Sequence, residues 1–152
     1  MLLRKAGKND TTLLLYWENE PLEREMSFDS GIISEEKHKK WFEEKLKDPD
    51  ALIYIGIVGN RYIGYSRFER ENQSVTVSVF VDANLRGRGY GGELIRMGTQ
   101  SAGMEFRPEF FEAFIKKVNV ASQKAFYSAG YARIKEVAYK NQRALLYRME
   151  WK

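Results

Sequence analysis

Four glycines lie within seven residues at 86–92, and this segment carries the strongest chemical signal in the chain. Glycine lets the backbone approach a ligand closely and turn its N–H groups toward it. The residues that follow, from Glu93 to Met97, predict the start of a helix. A helix N-terminus presents unpaired N–H donors and a favourable dipole to an anion. The segment therefore predicts a phosphate-binding loop.

The elements around this loop define the expected fold. Residues 75–81 alternate strictly, which predicts a strand with one buried face directly before the loop. Strands at 51–58 and 61–70 precede it with short connections, which predicts an antiparallel meander. The remaining predictions are strands at 2–6, 110–118, 131–140 and 144–151, and helices ending near residue 19 and spanning 34–47, 91–102 and 121–129. This order indicates a mixed α+β sheet.

Three known glycine-rich loops can be compared with this segment. Gly87, Gly89 and Gly92 satisfy the dinucleotide fingerprint, but that fingerprint opens a parallel, doubly wound sheet, whereas this strand ends an antiparallel meander. No Lys-Ser or Lys-Thr follows the glycines, which excludes a Walker A loop, and the protein kinase signatures are missing. A dinucleotide-binding module remains the third hypothesis.

Two motifs in this order of elements resemble the GNAT superfamily of N-acetyltransferases. The family's acetyl-CoA loop, Arg/Gln-x-x-Gly-x-Gly/Ala, is matched by Arg86, Gly89 and Gly91. A second family segment is matched by Asn119, Ser122, Tyr127 and Gly130. The resemblance implies one domain over residues 1–152, with a mostly antiparallel sheet, splayed central strands and about four helices.

The resemblance also implies the chemistry. Acetyl-CoA would be the cosubstrate, and a primary amine would attack it directly in a ternary complex, without a metal. The cofactor pyrophosphate would lie over Arg86, Gly87, Arg88, Gly89, Tyr90, Gly91 and Gly92. The backbone of Val79 and Val81 would bind the pantetheine arm like an added strand, and an N–H near Val79 would stabilise the oxyanion. Asn119 and Ser122 would cap the short helix and touch the arm, with a purely capping role as the alternative. Tyr127 would contact the cofactor and protonate the leaving thiolate, with an ordinary amphipathic helix residue as the alternative.

The family's usual general base, a glutamate on the strand before the loop, is missing here. That strand offers Thr76 and Ser78, and the acidic residues of neighbouring strands are Glu69, Glu71 and Glu112. A weakly basic acceptor would relax the need for a base, because an α-amine has a pKa of about 7.7–8.0 against about 10.4 for lysine. The missing glutamate also favours a rival hypothesis, a non-catalytic acyl-CoA-binding sensor on the same fold.

Acceptor recognition is expected from the segment between the first two predicted helices and from the last hairpin. Residues 17–29 are rich in acidic side chains, which suits a cationic amine, although a solvated helix face has the same pattern. A pattern between residues 17 and 42 resembles the GNAT branch that acetylates nucleotide-linked amino-sugars, and related patterns occur in branches that acetylate ribosomal-protein N-termini or polyamines. The pattern consists of Trp17, Asn19, Arg24, Ser34, Glu36, His38, Trp41 and Phe42. We therefore favour a small-molecule amine, with a peptide N-terminus or a polyamine next. His38 is expected to be a surface or packing residue.

Composition narrows the function classes further. The 152 residues include no cysteine and one histidine, which excludes disulfides, thiolate nucleophiles and the usual metal clusters. The net charge of +4 is too small to indicate nucleic acid and suits an anionic small ligand. No apolar segment has membrane-spanning length, and no signal peptide is recognisable. A cytoplasmic monomer or homodimer is expected.

Overall fold

The computed structural model describes residues 1–29 and 31–152. Its strands are β1 (Leu2–Lys5), β2 (Ala51–Val58), β3 (Arg61–Glu71), β4 (Ser74–Val81), β5 (Phe110–Ile115), β6 (Ala132–Tyr139) and β7 (Gln142–Glu150). Its α-helices are α1 (Thr11–Glu18), α2 (Pro21–Met26), α3 (Glu35–Lys47), α4 (Tyr90–Phe106) and α5 (Val120–Ser128). The strands form one sheet in the order β1-β2-β3-β4-β5-β7-β6. Among the described strands, β4 and β5 pair in parallel and the other neighbours pair antiparallel.

Helices cover both faces of this sheet, because the strand side chains alternate between two apolar clusters. Leu52 and Tyr54 of β2 pack on the face that carries α4 and α5. Ile53 and Ile55 of the same strand pack with α1 and α3 on the opposite face. Strand β2 is therefore buried on both sides. No helix in the two described ranges is both long and apolar enough to cross a membrane.

The expected α+β order is confirmed, with five α-helices in the described chain rather than about four. The additional helix is α2. Pro21 occupies its first turn, where a missing N–H costs nothing, and the Glu20 side chain accepts a hydrogen bond from the Glu23 N–H (3.1 Å). The proline thus begins a helix as well as ending the preceding one. Strand β5 ends at Ile115, three residues before the predicted end, because Asn119 already caps α5.

His38 of α3 is a packing residue, as expected, but it lies in the core rather than at the surface. Its side chain is buried, and its ring stacks on Phe42 with centroids 6.0 Å apart. Neither ring nitrogen has a hydrogen-bond partner among the described residues. Burial lowers the pKa of His38, and the nearby Glu18 carboxylate opposes that effect only in part.

We predict that His38 makes folding sensitive to mild acid. Its ordinary pKa is 6.5 and its folded pKa is lower, so below pH 6.5 the unfolded chain takes up a proton that the folded chain refuses. Stability is therefore lost as the pH falls from 6.5 toward the folded pKa. Urea unfolding of wild type and His38→Leu at pH 7.5 and 5.5 measures this, and the variant should lose less stability. Equal losses in both proteins would contradict the prediction.

Candidate active site

The central feature of the sheet is the place where β4 and β5 separate. The two strands pair over three positions, ending at Thr76 opposite Glu112, and then diverge. The gap opens into a cavity of about 180 Å³. Its walls come from β4, β5, the start of α5, and the α1–α2 region, with Tyr65 and Arg67 contributed by β3.

The backbone of β4 faces this gap at alternate residues. Asp82 donates its N–H to the carbonyl of Ile63 on β3 (2.8 Å). Because alternate residues of a strand direct their backbone groups to opposite sides, those of Val81 and Val79 point toward β5. The Val81 carbonyl accepts a hydrogen bond from Nε of Arg86 (3.1 Å), whereas Val79 lines the cavity. The splay thus leaves a strand edge at Val79 available to an extended ligand.

The glycines of the loop divide into two roles. Gly87 and Gly89 adopt φ of 79° and 82°, and a Cβ at either position would meet no other atom within 4 Å. Gly89 caps α4, so the N–H groups of the helix's first turn lie before its first internal bond, from Glu93 to Gly89. This arrangement presents open backbone donors, as an anion site requires.

Gly91 and Gly92 instead allow α4 to pack closely on α5. A Cβ on Gly91 would lie 3.3 Å from the Cβ of Ala125, and one on Gly92 would collide with the Ser128 hydroxyl. Sequence analysis assigned all four glycines to the ligand. The structure gives the second pair a packing role as well, which holds the loop and α5 together.

The two arginines of the loop differ in their surroundings. The Arg86 guanidinium forms an ion pair with Glu20 (3.0 Å) and lies over the Phe80 ring. Its charge is therefore partly neutralised by the residue that caps α2. Arg88 is exposed and Tyr90 is half-buried in the first turn of α4. Arg88 thus remains the loop arginine with its charge directed to solvent.

On α5, Asn119 and Ser122 line the cavity, and Asn119 also caps the helix by accepting the Ser122 N–H (3.2 Å). Phe126 lines the cavity one turn further on. Tyr127 is the next residue along, but its side chain is 74% exposed and it does not line the cavity. These three predicted residues therefore lie on the same short helix next to the splay.

Sequence analysis did not identify the polar network on the opposite wall. Glu18, at the end of α1, accepts a hydrogen bond from the Tyr65 hydroxyl and lies 3.5 Å from Nη1 of Arg67. Tyr65 and Arg67 are two residues apart on β3 and so share a face. The spacing of Tyr65 and Arg67 at i and i+2 was visible in the sequence, but β3 also contains other charged residues, so nothing local singled out this pair.

Glu23 of α2 lines the same cavity. Burial, followed by the negative charge of Glu18, raises the pKa of Glu23 to about 7. The three carboxylates of neighbouring strands do not line the cavity: Glu69 pairs with Lys45, Glu112 pairs with Arg148, and Glu71 is exposed. The carboxylates near the splay come instead from the first two helices.

The segment after α2 is tied across the cavity to β5 and the β6–β7 hairpin. Lys140 pairs with Asp29 (2.9 Å), Gln142 donates to the Phe28 carbonyl, and Lys116 donates to the Glu25 carbonyl. Phe28, Tyr139 and Phe114 form an aromatic wall, with the last two rings stacked at 4.1 Å. The cavity therefore offers acidic, basic and aromatic surfaces to an acceptor.

These features can be compared with known proteins. A family model of the acetyltransferase (GNAT) domain matches residues 1–132. The chain belongs to this family. The predicted family and fold are thereby confirmed, and the fingerprint at Gly87–Gly92 does not make this protein a dinucleotide-binding module. No curated protein matches the chain in sequence.

Solved structures of GNAT enzymes share the fold at low sequence identity. The aminoglycoside acetyltransferase AAC(6')-Ib in complex with ribostamycin and coenzyme A is 15% identical with a TM-score of 0.85, over 97% of this chain and 92% of that chain. Spermidine N-acetyltransferase from Vibrio cholerae, in complex with CoA and spermine, is 11% identical with a TM-score of 0.87, over 99% and 95%. Ribosomal-protein-alanine N-acetyltransferase from Brucella melitensis is 20% identical with a TM-score of 0.82, over 99% of each chain.

We predict that Arg24 holds the acceptor side of the site in shape. Its guanidinium donates to the carbonyls of Glu18 and Asp29, each at 2.6 Å, and lies 3.7 Å from the Glu18 carboxylate. Arg24→Met should cost about 1–3 kcal/mol of stability, because the partly buried Glu18 carbonyl and the Glu18 carboxylate lose a charged partner. Urea unfolding measures the cost, and hydrogen exchange at residues 25–29 should accelerate.

Arg143→Met is the matched control, since the Arg143 side chain is 83% exposed. It should change neither the unfolding free energy nor the exchange rates. Unchanged exchange in Arg24→Met would show that other contacts hold the segment.

Proposed function

We propose that this GNAT protein transfers the acetyl group of acetyl-CoA to the primary amine of a small molecule. The observation that carries the proposal is the splay of β4 from β5, which leaves an open strand edge near the glycine loop and beside a cavity lined by both acidic and basic side chains. The residues present fit the cosubstrate. The loop has open N–H donors for a pyrophosphate, and the gap accepts an extended arm along Val79.

Bound acetyl-CoA would supply the thioester that the amine attacks directly. The Val79 N–H is placed to donate to the thioester oxygen as negative charge develops there. Asn119 and Ser122 border the path of the arm in the cavity wall. We assign to Tyr127, which lies on the same helix but outside that wall, the proton given to the departing sulfur. Carboxylates on the far wall attract the ammonium form of the acceptor.

For the acceptor we propose a nucleotide-linked amino-sugar first, and a peptide N-terminus or polyamine next. The aromatic wall of Phe28, Phe114 and Tyr139 supports a substrate with a planar or apolar ring face. Lys116 and Lys140 border the same cavity and favour an acceptor that also carries negative charge. A simple polyamine carries no negatively charged group that could bind these lysines.

Ligand binding comes first among the tests. Acetyl-CoA, CoA and NADH are compared by thermal shift, where a ligand at 100 times its Kd adds about 2.7 kcal/mol. Thiol release from acetyl-CoA is then followed with a UDP-amino-sugar, an alanine-terminated peptide, spermine and ribostamycin. Binding without thiol release to any amine would favour the acyl-CoA sensor. Stabilisation by NADH alone would contradict the proposal.

We predict that Gly89→Ala weakens acetyl-CoA binding. Its φ of 82° is unfavourable for alanine, so the loop must change shape. The matched control is Gly59→Ala, because Gly59 also has positive φ (61°) and open space around it, but lies in the β2–β3 turn. Both variants should lose stability. Only Gly89→Ala should lose affinity in calorimetry, by about tenfold, or about 1.4 kcal/mol.

We also predict that Tyr127→Phe slows turnover by about 10²–10⁴-fold, the usual contribution of a general acid. Its affinity for CoA should stay within about twofold, because the aromatic ring remains. Tyr62→Phe is the control, since Tyr62 is also partly exposed but lies on β3, away from α5 and the splayed strands. Unaltered turnover in Tyr127→Phe would remove the tyrosine from the mechanism.

A further inference from the structure

We propose that Glu23, at the acceptor side of the cavity, is the general base that deprotonates the incoming amine. The inference rests on the proposed acetyltransferase function and adds the proton acceptor that β4 lacks. It assigns this role to a residue of α2 rather than to a strand.

Glu23 differs from the other acidic side chains in the cavity wall because its carboxylate has no partner among the described residues. Among the described residues, three carboxylates line the cavity: Glu18, Glu23 and Asp29. Glu18 accepts the Tyr65 hydroxyl and faces two arginines, and Asp29 is paired with Lys140. Within residues 1–29 and 31–152, the Glu23 carboxylate makes no hydrogen bond or ion pair. It is the lining carboxylate free to accept a proton from a ligand.

The surroundings of Glu23 suit a base that works near neutral pH. Charged and titratable groups face it from each neighbouring element: Glu18 of α1, Arg24 of α2, Tyr65 and Arg67 of β3, and Arg86 after β4. Burial and the Glu18 charge raise the pKa of Glu23, while the three arginines oppose them, and the result is about 7. A base with a pKa near the working pH combines a usable ionised fraction with a strong pull on the proton.

The position of Glu23 is fixed relative to the glycine loop. The Glu20 carboxylate accepts the Glu23 N–H and simultaneously pairs with Arg86, the residue before Gly87. One side chain therefore joins the first turn of α2 to the start of the loop. Arg86 acts as a positioning residue in this arrangement. The amine is received on one wall while the thioester is held by the other.

The proton and electron balance is simple. The acceptor ammonium gives one proton to the Glu23 carboxylate, and its nitrogen lone pair forms a bond to the acetyl carbon as the C–S bond breaks. The sulfur takes a proton from Tyr127, which is replenished by the second proton lost from nitrogen. Glu23 then releases its proton to solvent. The net products are the acetamide, CoA thiol and one proton.

Enzyme kinetics provide the first test, with Glu23→Gln compared against Glu25→Gln. Glu25 is exposed on the same helix and does not line the cavity. Glu23→Gln should lower kcat by about 10²–10⁴-fold and remove the rise in kcat/KM near pH 7. Its acetyl-CoA affinity should stay at the wild-type value, and its melting temperature above pH 7 should not fall, because glutamine removes a carboxylate whose ionisation burial disfavours. Glu25→Gln should behave as wild type in every measurement.

Two acceptors sharpen this test. The loss should be greater for Nα-acetyl-lysine, whose amine has a pKa of about 10.4, than for an alanine amide, whose α-amine has about 7.7–8.0. If neither is acetylated, slow thiol release to water is measured instead, because water also needs a base. Wild-type rates and an unchanged pH profile in Glu23→Gln would overturn the inference.

A second test does not depend on any acceptor. In protein labelled with carbon-13 at glutamate carboxyls, one resonance should titrate near pH 7 and should be missing from Glu23→Gln. Its midpoint should fall in Glu18→Gln, where the neighbouring negative charge is gone. A Glu23 midpoint at the ordinary glutamate value would overturn the inference even if acetyl-CoA binds. Failure of acetyl-CoA to bind, with the titration as expected, would instead remove the proposed function.

Discussion

The separation of β4 from β5 is the constraint on which the rest of the structure depends. Each strand is committed to a different partner. Strand β4 pairs with β3 over eight positions, and β5 pairs with β7 over six. Only three positions join the two halves of the sheet directly. Because each half is held by its own antiparallel ladder, the parallel pair can open without leaving the core unsupported. The opening leaves unpaired backbone at Val79 and a cavity beside it.

The packing of the helices determines which side chains line this opening. On one face, α4 and α5 approach each other through Gly91 and Gly92, which brings Asn119 and Ser122 to the edge of the gap. On the other face, α1 and α2 direct Glu18 and Glu23 toward the same space. A cosubstrate and an acceptor would thus meet from opposite sides of the sheet. This geometry favours direct transfer over a covalent relay through the protein.

Charged side chains connect the elements on the two sides of the sheet. Arg86 belongs to the loop motif, but its guanidinium binds Glu20 and the Val81 carbonyl. It therefore connects the glycine loop, the end of β4 and the start of α2. Glu18 connects neighbouring elements in the cavity wall in a similar way. By accepting from Tyr65 and facing Arg67, it remains fixed in the wall, and its negative charge acts on Glu23. The reacting groups are tuned by neighbours that do not react.

The secondary-structure elements and the family could be predicted from the sequence, because both depend on patterns within short segments of the chain. Strict alternation located β4, the four glycines of residues 86–92 located the loop, and the spacing from Asn119 to Gly130 identified α5 and its cap. Helix α2 was missed because a proline at the first turn looks the same in sequence as one that ends a helix. The placement of predicted site residues around the splay follows from the order of the strands.

The set of charged side chains that line the cavity depends on the tertiary structure and could not be read from the sequence. Glu18, Glu23, Tyr65 and Arg67 come from three elements separated by up to 49 positions in the chain, and no local spacing connects them. The same holds for Arg86, whose motif suggested a phosphate contact and whose partner is Glu20. The environment of a carboxylate is set by burial and by neighbours across the fold. The sequence therefore showed an acidic segment, and only the packing of helices on the sheet selected one carboxylate within it.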